Sequence, residues 1–207
     1  MAADVRWLGH ASFHLSGGGA DVLIDPWLTG NPKATVTAEE LPADVIALTH
    51  GHADHLGDTV DIAKRTGAKV LAIVELAGEI EGDGVQDVVG FNFGGTVTFD
   101  WGWIKMVPAW HTAVSPKGTP HMPAGLLIHY GGHLIYHLGD TALFGDLKLI
   151  AGRGDRVELV NPFQTIPIHY GTFPPIETDA QAFKQDVQNA GFAEVVVLDP
   201  GQSHTMK

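Results

Sequence analysis

Between residues 49 and 55 the chain reads Thr49-His50-Gly51-His52-Ala53-Asp54-His55. Three imidazoles and a carboxylate fall within six residues, directly after the apolar run 45–48, which has the pattern of a strand buried on both faces. A tight loop at the end of such a strand lets His50 and His52 point to one side while Asp54 and His55 point elsewhere, so one loop could serve two metal ions. Ligands on a rigid strand end keep the geometry that a catalytic metal needs. An incidental polar loop is a poor reading, because each of these groups would need its desolvation compensated. The chain has 12 His and no Cys, so imidazole and carboxylate are the only strong ligands it offers a transition metal. A two-metal site draws on about six or seven protein ligands and leaves a position for water. Three further strand ends supply candidates: His111 after Val107-Pro108-Ala109-Trp110, Asp140 in Leu138-Gly139-Asp140-Thr141, and His169 in Pro167-Ile168-His169-Tyr170. Taken singly, each histidine reads as a hydrogen-bonded structural residue and Asp140 as a turn residue beside Gly139. Their joint recurrence after apolar runs shifts the balance toward ligands. Because an aspartate can bridge two cations, Asp140 is the expected bridge.

Such groups need a frame to hold them. The 207 residues fit a single domain, 1–207, long enough to bury roughly 70% of the unfolded surface. Hydrophobic residues at 44% and charged residues at 17% exclude a disordered chain, and no apolar run approaches the ~20 residues of a membrane span. With 12 basic against 24 acidic residues, net −12, nucleic acid and anionic membranes are disfavoured as partners. A small-molecule substrate is expected, with a homo-oligomer open. The first residues show no secretory pattern, so a cytoplasmic location is expected. Runs 5–8, 11–15 and 22–24 look like strands, as do 45–48 and 69–74. Residues 58–65 fit a short helix ended by Gly67, and 75–80 a helical turn. Strands are expected over 86–89, 96–99, 103–107, 126–130 and 134–138, the last two joined by the hairpin signal Gly131-Gly132. A strand over 165–169, a helix over 179–190 capped by Thr178, and a strand over 194–198 complete the pattern. Antiparallel strands come first in each half and helix–strand units follow. That order suggests a layered α/β protein with two packed sheets and helices outside.

The HxHxDH loop, the separate histidine, Gly139-Asp140-Thr141 and the late histidine together resemble the metallo-β-lactamase superfamily. Leu8-Gly9-His10-Ala11-Ser12-Phe13, the segment from Leu23-Ile24-Asp25-Pro26-Trp27 to Pro32, Ala142-Leu143-Phe144, and Ile166-Pro167-Ile168-His169-Tyr170-Gly171-Thr172-Phe173 narrow the match. They resemble the small metal-dependent hydrolases of the UPF0173 family, related to L-ascorbate-6-phosphate lactonases and more distantly to N-acylphosphatidylethanolamine phospholipase D. The resemblance implies a four-layer αββα sandwich with the site in the cleft between the sheets. It implies one metal held by His50, His52 and His111 and a second by Asp54, His55 and His169, with Asp140 between them. The cofactors implied are two divalent metal ions, zinc first, with manganese, nickel and iron also suited to mixed imidazole and carboxylate ligands. The implied activity is hydrolysis. Metals lower the pKa of a bridging water toward 7, and the hydroxide attacks a carbonyl or phosphoryl centre of a lactone, ester or phosphodiester. Asp54 or Asp140 would handle the proton. Two other activities stay open: a di-iron oxidoreductase on the same scaffold, and a metal-dependent nuclease, which the net charge weakens.

Asp25, at a strand end before Pro26, could orient a metal-bound histidine through its free N–H, or form an Asx turn; the two readings weigh equally. His10 leans toward the cleft and a substrate contact, against a role in satisfying backbone groups. His14, His129, His133 and His137 fit strand faces, and His121 and His204 loops; none of the six is expected to be a ligand. Trp27 and Trp110 are the tryptophans nearest ligand-bearing turns. Finally, strand-like 157–160 is followed almost at once by 165–169, too close for parallel neighbours, which need a crossover of a dozen or more residues, though not for a hairpin. Proteins resembling this chain carry a longer connection here, with 156–159 as the strand before it; the resemblance implies about 20 residues absent between Leu159 and Val160, by disorder or true deletion.

Overall fold

A computed structural model of the chain describes residues 3–150, 164–174, 176, 179–190 and 193–206. The strands are β1 (Asp4–Gly9), β2 (Ser12–Ser16), β3 (Val22–Ile24), β4 (Val45–Ala47), β5 (Lys69–Ile73), β6 (Val88–Phe91), β7 (Thr96–Phe99), β8 (Gly102–Pro108), β9 (Ala124–Tyr130), β10 (His133–His137), β11 (Gln164–Thr165), β12 (Glu194–Val195) and β13 (Ser203–Thr205). The helices are α1 (Ala53–Leu56), α2 (Thr59–Thr66), α3 (Val74–Gly82), α4 (Leu147–Ile150) and α5 (Ala180–Asn189).

The first sheet runs β13-β1-β2-β3-β4-β5-β6, and the second runs β10-β9-β8-β7. The second sheet is antiparallel throughout. The first changes character at β3: strands before it pair antiparallel, and β3 to β6 pair parallel. The switch follows from the connections. Short turns join β1, β2 and β3, whereas the parallel neighbours are joined by the longer crossovers they require: residues 25–44 with one 3₁₀ turn from β3 to β4, α2 from β4 to β5 and α3 from β5 to β6.

Residues 45–48 show why a continuous apolar run suits a central strand. Val45 and Ala47 enter the core between the sheets with Trp7, Ile24, Ile104, Leu126 and Ile128. Ile46 and Leu48 point the other way, against Ile62 of α2 and Leu76 and Ile80 of α3. A third cluster, Val107, Leu127 and Tyr136, lies on the far face of the second sheet beneath Leu147 and Ile150 of α4. Helix, sheet, sheet and helix stack as four layers, the αββα sandwich.

Tyr130 closes one end of the central core. Its ring is buried; its hydroxyl donates to the Ala20 carbonyl at 2.5 Å and accepts from the Gly18 N–H at 2.9 Å. Tyr130→Phe leaves both backbone groups without that partner and is expected to cost about 1–3 kcal/mol. Urea unfolding reads this directly, and an unchanged midpoint would refute the account.

Several boundaries differ from the sequence expectation. Gly131 and Gly132 both take positive φ between the Tyr130–His133 pair, as a two-residue hairpin loop demands. The expected strand over 165–169 is regular only at its start, where Gln164–Thr165 pairs with Glu194–Val195, and His169 turns left-handed at φ 59°. Asp179, not Thr178, caps α5, its Oδ1 accepting from the Ala182 N–H at 2.8 Å. β13 was read as a loop; it pairs with β1, a long-range contact that no local pattern announces. Residues 156–160, with the Leu159–Val160 junction, lie outside the described residues.

Candidate metal centre

Histidines and aspartates gather at one end of the two sheets. β1 delivers His10, β3 Asp25, β4 His50 to His55, β8 His111 and β10 Asp140. His52 is the N-cap of α1, so Asp54 and His55 sit on a helical turn rather than the plain loop the sequence suggested. His52 faces His50 and His111, Asp54 faces His10, and His55 lies between the two groups, its ring 4.0 Å from that of His50. Gly57 ends α1 at φ 42° and ψ −123°; a Cβ there would lie 2.4 Å from Trp27 Cα, so only glycine fits.

Candidate donor atoms of His50, His52 and His111 lie within 4.8 Å of one another. So do those of Asp54, His55, His169 and His10, and those of His50, His55 and Asp140. Asp140 reaches both sides: its oxygens lie 3.5 Å from His55 Nε2, 3.5 Å from His111 Nε2 and 3.3 Å from His169 Nε2. Yet His55 Nε2 and His169 Nε2 are buried without a hydrogen-bond partner. Buried polar atoms are rarely left so. Converging nitrogens close to a carboxylate but not aligned to bond it are the arrangement a cation would complete.

The hydrogen bonds behind these groups fix which ring nitrogen faces the centre. Asp25 is wholly buried and accepts from the Thr49 N–H at 2.8 Å, the Thr49 hydroxyl at 2.6 Å and His55 Nδ1 at 2.8 Å. With the single Thr49 hydroxyl hydrogen given to Asp25, the His50 Nδ1–H, 3.0 Å away, donates to Thr49 Oγ1. His50 and His55 therefore both turn Nε2 toward the cluster. Orienting a ligand imidazole through its other nitrogen is the usual outer support of a metal site. Gly51 N–H donates to His121 Nε2 at 2.8 Å, pinning the loop from outside. Trp110 N–H donates to Thr141 Oγ1 and Ala142 N–H to the Trp110 carbonyl, both at 2.9 Å, lacing the His111 and Asp140 loops together.

The electrostatics follow from the crowding. Burial, with the neighbouring His55 charge, pushes His50 down to about 3. Burial also acts to lower His55, but the carboxylates of Asp25 and Asp140 outweigh it and raise it to about 10. Burial works to raise Asp140 and Asp54, yet their histidine neighbours hold both below the usual carboxylate range. The chain thus presents ionised carboxylates among imidazoles, the protonation a divalent cation needs of its oxygen donors.

Every expected site residue falls in this region. Asp25 bonds His55, while His10 bonds Asp54 and lies in the same cluster. None of the six histidines set aside belongs to a candidate metal group among the described residues. His14 pairs with Asp21, His137 donates to the Ala11 carbonyl, and His129 stacks on Trp103. Trp27 stacks on Phe173 beside His10, whereas Trp110 is 67% exposed at the rim. Sequence reasoning missed Thr49, Thr172 and His121, whose roles depend on partners far along the chain.

This scaffold and donor set define a class. Residues 4–151 match the β-lactamase superfamily domain. The chain belongs, within it, to the UPF0173 metal-dependent hydrolase family. It is 42% identical to a UPF0173 metal-dependent hydrolase of Methanopyrus kandleri, over 97% of this chain and 98% of the relative. It is 41% identical to one from Thermus thermophilus, over 96% and 97%. Among solved structures it is similar to a metallo hydrolase from the hyperthermophilic archaeon Ignicoccus hospitalis, with TM-score 0.88, 32% identity, and 100% and 99% of the two chains covered. The first alignment spans 229 positions, 22 more than the 207 residues here, so that relative has at least 22 positions without a counterpart in this chain.

Proposed function

We propose that the chain hydrolyses a small molecule at a carbonyl or phosphoryl centre, using two divalent cations held at this centre. The observation that carries the reading is the pair of histidine clusters flanking Asp140, with the buried Nε2 atoms of His55 and His169 otherwise unpartnered. His50, His52 and His111 would hold one cation and Asp54, His55 and His169 the other, with Asp140 serving both. Zinc suits the five imidazoles best, and manganese, nickel and iron are compatible with the carboxylates. When bound, such cations supply Lewis acidity and make water acidic enough to act as a nucleophile at neutral pH.

The chain's own residues do the rest. Thr49 and Asp25 keep His50 and His55 aimed, so the donors need no rearrangement during the reaction. Asp54 and Asp140 are ionised inside the site. A carboxylate held so low is a weak base, so each acts first as a negatively charged donor and second as the acceptor of the proton leaving water. The substrate is a small molecule. The net charge of −12 disfavours a polyanionic nucleic acid.

The test is metal analysis of the purified protein, then chelation and reloading with zinc, manganese, nickel or iron against lactone, ester, phosphodiester and β-lactam substrates. Hydrolysis lost on chelation and restored by one of these ions is expected. Full activity in the chelated protein would overturn the proposal. Iron content with visible absorbance and no hydrolysis would favour the oxidoreductase instead.

A further inference from the structure

His10 joins the Asp54, His55 and His169 cluster and resembles a fourth donor. The hydrogen bonds argue otherwise. His10 Nε2 lies 3.1 Å from Asp54 Oδ2. An ionised carboxylate can only accept, so the hydrogen between them sits on Nε2. A ring nitrogen that carries a hydrogen has no lone pair for a cation. On the other side of the ring, Thr172 Oγ1 lies 3.0 Å from Nδ1, where its hydroxyl donates. The ring cannot swing away easily. It is fully buried, lies 3.7 Å from the His169 ring between centroids, and stands edge-on to Trp27. Its backbone is anchored too, since the His10 carbonyl accepts from the Trp7 indole at 2.9 Å and from the His169 N–H at 3.0 Å.

We infer that His10 is a positioning residue for the second metal: Thr172 fixes the ring, the ring fixes the Asp54 carboxylate, and the relay serves the Asp54–His55–His169 site alone. The inference rests on the two-metal reading above. It also gives the stretch from His169 to Thr172 two tasks, one donor and one support, tied to the same residue of the first hairpin.

Metal affinity tests it. Asparagine tolerates the left-handed backbone of position 10 and keeps an amide near Thr172, but it is too short to reach Asp54. Glutamine places its amide nitrogen where Nε2 stood. Zinc competition titrations with a chromophoric chelator would compare wild type, His10→Asn, His10→Gln and Thr172→Val, each also in a His52→Ala background that leaves only the second site. His10→Asn should weaken the second site about 10–100-fold, the usual effect of losing a ligand's outer partner, with the first site unchanged. His10→Gln should recover most of that loss, and Thr172→Val should weaken the same site less. If His10→Asn fails to fold, Thr172→Val carries the test alone. Equal loss at both sites, a glutamine variant as weak as asparagine, or no change in Thr172→Val would overturn the inference. Wild type that binds none of zinc, manganese, nickel or iron in the same competition would overturn the two-metal reading itself; wild type with two sites and unaltered variants would overturn only this one.

Discussion

Asp140→Asn is expected to lower metal-dependent hydrolysis by at least about 100-fold, more than the loss of a mere outer partner. The carboxylate lies against three imidazole nitrogens drawn from both clusters. Asparagine keeps the volume, removes the charge and turns an amide N–H₂ toward one set of nitrogens. His52→Ala should be comparably damaging, because it takes a donor from the His50–His52–His111 cluster. Neither change touches the cores, so circular dichroism and the urea midpoint should stay close to wild type. Activity within a few-fold of wild type in either variant would refute the two-metal mechanism. A variant that unfolds would show that the metal is structural.

Asp25→Asn should act on stability and metal together. The carboxylate is fully buried and receives three hydrogen bonds, one from a histidine that is itself fully buried. Asparagine tolerates the φ of 44° at this position, so the backbone is not the difficulty. One of its two terminal atoms becomes a donor facing a donor, and the counter-charge of His55 disappears. Breaking a buried pair on one side costs about 3–5 kcal/mol. Second-site affinity should also fall about 10–100-fold, since His55 loses its orienting partner. Denaturant unfolding of the metal-free protein and zinc competition measure the two effects separately. A variant normal in both would mean Asp25 is only a turn residue before Pro26.

Much of the centre was legible because its chemistry is local. His50, His52, Asp54 and His55 announce themselves by type and spacing, and His111 and Asp140 by position after apolar runs. The layering of two sheets with helices outside was legible in the order of strand and helix patterns, with residues 45–48 apolar as a strand buried on both faces would be; the four-layer sandwich itself came from the family resemblance. The finer support was not legible. Thr49 matters because its one hydroxyl hydrogen is committed to Asp25, 24 residues away. Thr172 matters through a ring 162 residues earlier. The edge pairing of β13 with β1 joins opposite ends of the chain. No periodicity carries such partnerships; they exist only once the layers have closed.

Three non-glycine residues with positive φ stand out among the described residues: His10, Asp25 and His169. All three belong to the metal centre. Each gives up about 1–3 kcal/mol of backbone comfort to aim a side chain that glycine, the natural occupant of such a conformation, lacks. At Asp25 the three buried hydrogen bonds outweigh that cost, so stability and chemistry hold the residue together. At His169, which is only half-buried, the two pull in opposite directions. A lineage that no longer needed the reaction would be free to drift toward glycine at 169 while keeping its core, and that position then serves as a gauge of whether a related sandwich is still under selection to hold metal.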